Sequence, residues 1–321
     1  MSPIRPIRAT TMQTKHQIQE LLSSAGVSPN RRLGQHFLVD LNLMRLLVDA
    51  AQLTGGDVVL EVGCGTGSLT EALAEQAGAV VAVEIDRTLA PIAESQVAGR
   101  ENVQIINADI LSGKGALNPA VVEALGQARE ERERIGPMGP MPGASQGSQV
   151  RLLLVSNLPY DVASPVMIHL AKGPLAADAM FVTVQKEVAE RMAAAPGGRD
   201  YGTLSIFLQA TGEVEILRVL KPSVFWPPPS VDSALVRFVR NDSKSRQIED
   251  MAILSDVVGL FMGHRRKMLR ACLKSVPPHL GDPDLWLRIL EQHAIDPTLR
   301  PGELTPAQYV DLANACRRSA M

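Results

Sequence analysis

Leu60-Glu61-Val62-Gly63-Cys64-Gly65-Thr66-Gly67 is a strand running straight into a glycine loop. The apolar run 58–62 reads as a buried strand, and 69–77 beyond the loop as a helix. Glycines at such a junction let backbone approach a ligand closely and leave the helix's first N–H groups free to donate. A dinucleotide loop wants Gly-x-Gly-x-x-Gly, but Ser68 holds the place of the third glycine. Glu61, just before the loop, would repel a pyrophosphate and suits a cationic amino acid moiety.

Outward from this loop the chain alternates. Strand 80–84 leads into a helix over 89–97, and strand 103–106 ends at Asn107-Ala108-Asp109. Upstream, Asp40 caps a helix whose apolar positions are Leu43, Leu46, Leu47 and Ala50. Downstream come strand 151–156, a helix near 165–171, strand 180–184, and helices over 186–194 and 203–210. Strands 213–219 and 233–239 form an antiparallel pair. Strands alternating with helices predict an α/β fold with a mostly parallel sheet covered on both faces.

Three stretches stand outside the alternation. Residues 1 to about 30 read as a flexible polar arm. Residues 112–149 read as a surface insertion: a solvated helix over 117–134 with the run Arg129-Glu130-Glu131-Arg132-Glu133-Arg134, then a Gly/Pro/Met tract from Gly136 to Gly143. Asn241-Asp242-Ser243-Lys244-Ser245 reads as a linker. After it, 247–321 reads as four or five helices in which Met251, Leu254, Val258, Phe261, Trp286 and Leu290 are packing residues.

Composition narrows the function classes. The apolar fraction of 45% supplies ample core, and a net charge of −2 makes any basic face local. The three cysteines, Cys64, Cys272 and Cys316, are widely spaced, which argues against a disulfide framework or zinc site and suits a reducing cytosol. No run approaches a signal core or a membrane span.

The strand ends carry the chemistry. Glu84 lies about 20 residues beyond the loop, where an acid accepts both hydroxyls of a ribose. Asp109 is placed to receive an adenine amino group. Asn157-Leu158-Pro159-Tyr160 closes the strand Leu152-Leu153-Leu154-Val155. An amide, a proline carbonyl and an aromatic face at one strand end suit a flat substrate with an exocyclic amine, such as adenine or cytosine.

Together these strand ends resemble the class I (Rossmann-like) S-adenosyl-L-methionine-dependent methyltransferases. Further motifs narrow the resemblance: Gly34-Gln35-His36-Phe37-Leu38, Gln185-Lys186-Glu187-Val188, Tyr201-Gly202-Thr203-Leu204-Ser205 and Val224-Phe225-Trp226-Pro227-Pro228-Pro229-Ser230-Val231-Asp232-Ser233. In this order they resemble the KsgA (RsmA) family, the small-subunit ribosomal RNA adenine dimethyltransferases. The resemblance covers roughly 31–318. It implies a methyltransferase domain over 31–240 and a small all-α RNA-docking domain over 245–321.

Site roles follow from the resemblance. His36 and Leu38 would line the methionine end of the cofactor, Gly63 and Gly65 the cofactor loop, Glu84 the ribose and Asp109 the adenine, while Asn157 would contact both cofactor and target base. His36 stands where many members have Asn, and Ser230 where Lys is common. The Asn157 oxygen and the Leu158 or Pro159 carbonyl would accept the target amine's N–H bonds, with Tyr160 stacking on the base and Phe225 supplying a second face. The base must be single-stranded or extruded. Arg265, Arg266, Lys267 and Arg270, expected on one helix, would meet RNA phosphates. The implied substrate is 16S rRNA within a 30S assembly intermediate, with two adjacent adenines dimethylated in the hairpin near the 3′ end by a cytoplasmic monomer. No metal is expected. An Erm-type enzyme acting on large-subunit rRNA and an assembly or transcription factor retaining the fold are the alternatives.

Overall fold

A computed structural model describes residues 12–30, 33–113, 116–136 and 150–319. The chain enters through α1 (Lys15–Ser24), β1 (Phe37–Leu38) and α2 (Leu41–Ala51). The alternation follows as β2 (Val58–Val62), α3 (Ser68–Ala74), β3 (Ala79–Glu84), α4 (Ala90–Gln96) and β4 (Val103–Asn107). A small hairpin of β5 (Leu111–Ser112) and β6 (Ala116–Leu117) leads into α5 (Pro119–Ile135). Then come β7 (Leu152–Asn157), α6 (Ala163–Lys172), β8 (Ala179–Gln185), α7 (Lys186–Ala193), α8 (Thr203–Thr211), β9 (Gly212–Leu220), β10 (Phe225–Trp226) and β11 (Ser233–Arg240). The remainder is helical: α9 (Asp242–Ser245), α10 (Met251–Met262), α11 (Leu269–Cys272), α12 (Pro283–Gln292) and α13 (Pro306–Ser319).

The seven-stranded sheet has the order β4-β3-β2-β7-β8-β11-β9. Only β11 runs against its neighbours. The chain steps outward from β2 to β4 and then returns to lay β7 on the other side of β2. That reversal opens a crevice beyond the carboxyl ends of β2 and β7, the place where ligands bind in such sheets. It brings the glycine loop and Asn157 together across about 94 residues of chain.

Period-two alternation divides the strand residues between two helical layers. Val58, Leu60 and Val62 pack with α5 and α6 on one face. Val59, Val80 and Ala82 pack with α2 and α3 on the other. Asp40 caps α2 as expected, its side chain accepting from Asn42 and Leu43 N.

Three expectations need correction. The 112–149 stretch is not all surface: α5 lays the buried stripe Val121, Ala124 and Leu125 on β2 and β3 and forms the crossover to β7. Its Gly/Pro/Met tract, 137–149, lies outside the described residues. The polar arm contains α1, whose Ile18 and Leu22 are buried against Leu89. The linker at 241–245 is α9, tied down where Lys244 Nζ donates to Gln209 O and Gly212 O and Ser245 Oγ to Thr211 O.

The C-terminal helices have their own core around Leu254, Phe261, Trp286, Leu290 and Tyr309. They do not stand apart from the sheet. Leu204 and Leu208 of α8 face the sheet's core, while Ile206, Phe207 and Ala210 face the C-terminal one. A helix apolar on both sides is buried on both sides, and α8 is the shared wall.

Candidate active site

A cavity of about 250 Å³ opens at the switch point between β2 and β7. His36, Leu38, Glu61, the loop from Gly63 to Thr66, Glu84, Asp109 and Asn157 to Tyr160 all line it. The loop needs its glycines. A Cβ at Gly63, where φ is +76°, would lie 2.8 Å from Pro159 Cγ, and one at Gly65, where φ is +59°, 3.0 Å from Phe37 Cε1. The strand-end motif and the upstream motif therefore press directly on the loop, and any side chain there would displace them.

Glu84 couples the loop to the second strand end. Its Oε2 accepts from Gly65 N at 2.8 Å and its Oε1 from Asp86 N at 2.9 Å. Each oxygen keeps a further lone pair, as two ribose hydroxyls require. Burial raises its pKa, and the Asp86 and Gly65 N–H groups oppose that rise. Asp109 is exposed, and its Oδ1 accepts from Leu111 N in an Asx turn. Its Oδ2 makes no hydrogen bond among the described residues.

Glu61 is 2% exposed, and its Oε2 has no hydrogen-bond partner among the described residues. Burial pushes its carboxyl up to about 8, with Thr70 opposing and Glu84 adding to the rise. A buried carboxyl with one unpartnered oxygen beside a cavity fits a cationic ligand group.

Asn157 is fixed from two sides. Its Nδ2 donates to His36 O at 2.8 Å, and its Oδ1 accepts from Thr183 Oγ1 at 2.5 Å. With the amide nitrogen committed to a carbonyl, the oxygen is the atom left to receive a substrate N–H, through its second lone pair. The anchor uses the His36 backbone, so His in place of Asn leaves it unchanged. The His36 ring is placed separately: Nδ1 donates to Pro227 O at 2.7 Å, and the ring lies 5.6 Å from that of Tyr160. Leu158 N donates to Thr183 O, and Pro159 O accepts a 3.3 Å bond from Val162 N. Tyr160 is half-buried, and its hydroxyl meets Ser233 Oγ at 2.9 Å.

Two of the expected groups are placed differently. Phe225 is 3% exposed, pairs with Leu38 between β10 and β1, and belongs to the core beneath the cavity rather than its wall. The cationic segment is not one helix: α10 ends at Met262, residues 263–267 are turns, and Arg270 lies on α11. Arg266, Lys267 and Arg270 are exposed. Arg265 is spent on structure, its Nη2 donating to Gly198 O at 2.9 Å and Arg199 O at 2.7 Å.

Thr183 and Ser233 escaped the motif reading. Thr183 left one signal, a hydroxyl inside the apolar run of β8, where a buried polar group demands a partner. Ser233 left none beyond closing the Pro-rich motif. Among the described residues no cluster of His, Cys, Asp or Glu is arranged to hold a metal ion, and no helix is long and apolar enough to cross a membrane.

A family model described as ribosomal RNA adenine dimethylase matches residues 26–316. The chain belongs to that family. It is an S-adenosylmethionine-dependent RNA methyltransferase, and the crevice fits the cofactor: a strand-end acid bonded to the loop, glycines where no side chain has room, and a buried carboxyl with one unpartnered oxygen. Among curated relatives, ribosomal RNA small subunit methyltransferase A of Geobacillus thermodenitrificans is 35% identical over 303 residues, covering 94% of this chain and 96% of its own. The protein of the same name from Magnetococcus marinus is 37% identical over 298 residues, covering 93% and 95%. Among solved structures, a dimethyladenosine transferase from Plasmodium falciparum shares the fold with a TM-score of 0.64 at 22% identity, covering 86% of this chain and 96% of its own. The 23S rRNA methyltransferase ErmE shares it with a TM-score of 0.54 at 21% identity, covering 88% and 99%.

Proposed function

We propose that this protein converts two adjacent adenines, in the hairpin near the 3′ end of 16S rRNA, to N6,N6-dimethyladenine within a cytoplasmic 30S assembly intermediate. The small-subunit assignment is supported by the relatives, whose names specify that subunit. The chemistry is supported by one observation above all, the Asn157 carboxamide held with its nitrogen on His36 O.

The exocyclic nitrogen of adenine is a poor nucleophile because its lone pair is delocalised into the ring. Asn157 Oδ1 accepts one of its N–H bonds. Leu158 O, which accepts no hydrogen bond among the described residues, is better placed to take the second than Pro159 O, already bonded to Val162. Gripped this way, the nitrogen pyramidalises and frees its lone pair. The sulfonium cofactor supplies an electrophilic methyl group. As positive charge builds on the amine, the same two oxygens stabilise it, so they bind the transition state more tightly than the ground state. Tyr160, steadied through Ser233, offers its ring to the base. Glu84 holds the ribose and Asp109 the cofactor adenine, while Glu61 lies beside the cationic end. The proton leaves to water after transfer, so no dedicated base is needed. Arg266, Lys267 and Arg270 meet RNA phosphates away from the chemistry.

Incubating 30S particles and, separately, 50S particles with enzyme and isotopically labelled cofactor tests the reading by mass spectrometric mapping. Two dimethylated adenines in the small-subunit hairpin are expected. Label confined to large-subunit rRNA, or absent from both, would overturn it.

A further inference from the structure

The N-terminal strap that precedes α1 is bonded to the glycine loop. Gln13 is 3% exposed although it lies 53 residues from the loop it touches. Its backbone N donates to Ser68 Oγ at 2.8 Å. Its Nε2 donates to Thr66 O at 3.1 Å and to Gln96 Oε1 at 3.2 Å, and its Oε1 accepts from Thr66 Oγ1 at 2.6 Å. One side chain thus grips both polar ends of Thr66, which lies between the left-handed Gly65 and Gly67 and lines the cavity. Five residues on, Ile18 of α1 lines the same cavity and packs on Leu89, with Phe37 and Trp226 against them. Gln13 and Ile18 lie before residue 26, where the family match begins.

We propose that Gln13 is a positioning residue for S-adenosylmethionine, acting through Thr66, and that α1 forms part of the cofactor pocket's wall. The physical case is that a loop of three left-handed glycines has little to hold its shape. Its other polar braces to distant chain all go to the end of β3: Gly63 N and Cys64 N donate to Val83 O, and Gly65 N to Glu84, leaving Thr66 itself to Gln13. Gln13 closes the second side with bonds that bury both partners, so losing them leaves Thr66 O and Oγ1 unpaired beside the ligand. The loop then has to be ordered by the cofactor itself, which weakens binding without touching the groups that grip the target base. The inference rests on the cofactor occupying this crevice.

Calorimetric titration with S-adenosylhomocysteine, which binds without reacting, is the test. Wild type, Gln13→Met, Thr66→Val and the double variant form a cycle. Gln13→Met keeps the side chain's length and packing and removes its bonds. Each single variant is expected to weaken binding roughly ten-fold, and the double variant no further, since both break the same link. In Gln13→Met the KM for cofactor should rise with kcat and RNA affinity within about two-fold, and amide exchange at residues 63–68 should accelerate. Ile18→Ala, which leaves the polar brace intact, should weaken binding by a smaller factor. Wild-type affinity in both Gln13→Met and Thr66→Val, or additive losses in the double variant, would overturn the inference while leaving the cofactor reading intact. No binding by the wild type would overturn the cofactor reading, and the inference with it.

Discussion

The crevice at the ends of β2 and β7 and the cationic turn after α10 are both assigned to the same RNA, yet they are built in opposite ways. In the crevice almost every polar group is braced before a substrate arrives: Asn157 by His36 and Thr183, Tyr160 by Ser233, Glu84 by the loop. At the turn, Arg266, Lys267 and Arg270 are exposed and only Arg265 is anchored. The difference teaches where precision is needed. Stabilising charge on one nitrogen requires oxygens fixed in advance, whereas neutralising phosphates requires only nearby charge.

The comparison is broken most severely by removing a braced atom. Asn157→Ala should lower single-turnover methyl transfer roughly 10²–10³-fold, with RNA affinity, measured by filter binding, within about two-fold. Loss of RNA binding in parallel would merge the two regions into one. Neutralising Arg266, Lys267 and Arg270 to Gln should do the converse. RNA affinity weakens, and the slope of log affinity against log salt becomes shallower by about 2, while kcat on saturating RNA holds. Arg265→Gln sharpens the contrast, since its bonds go to Gly198 and Arg199 carbonyls: thermal stability should fall with the salt slope unchanged.

Thr183→Val tests the brace one step back from the chemistry. It frees the Asn157 carboxamide to turn, so kcat should drop about ten-fold with KM for RNA unchanged, and Thr183→Ser should restore it. An unaltered kcat in Thr183→Val would show that His36 O alone suffices.

A further expectation concerns pH dependence. Burial pushes the Glu61 carboxyl up to about 8, against an ordinary value of 4.5. Between those values the folded protein holds more protons than the unfolded chain, so stability falls as pH rises, by at most about 1.4 kcal/mol per pH unit. Below 4.5 and above 8 the contribution is flat. A cationic ligand favours the ionised form, so cofactor binding should release a proton below pH 8 and tighten as pH rises towards it. Urea denaturation and titration calorimetry across pH 5–9 check both slopes, and Glu61→Gln should flatten them. Glu84, raised in the same direction by burial, contributes whatever slope that variant leaves.

The sequence was most legible where function needs residues adjacent in the chain. The glycine loop, Glu84, Asp109 and the Asn157–Tyr160 turn each sit at a strand end, and one topological reversal brings them together. It was least legible where one partner carries no local mark. Thr183 reaches Asn157 across 26 residues, Ser233 reaches Tyr160 across 73 and Gln13 reaches Thr66 across 53. In sequence α5 reads as solvated because its charged end, Arg129 to Arg134, hides a narrow stripe of Val121, Ala124 and Leu125 at helical spacing. The N-terminal arm misled in the same way, its only core contacts from α1 being Ile18 and Leu22, one turn apart. Phe225 presents the opposite case. Aromatics are scarce, so one inside a motif suggests a functional role, while its register opposite Leu38 sets it in the core.

The central claim is that the Asn157 carboxamide is set to receive an adenine amine before the RNA arrives. A crystal structure with S-adenosylhomocysteine and an adenine-bearing hairpin tests it most directly. The account expects adenine N6 within hydrogen-bond distance of both Asn157 Oδ1 and Leu158 O, with Nδ2 still on His36 O and the base against Tyr160. A carboxamide turned away from N6, or a base held without either oxygen, would contradict it.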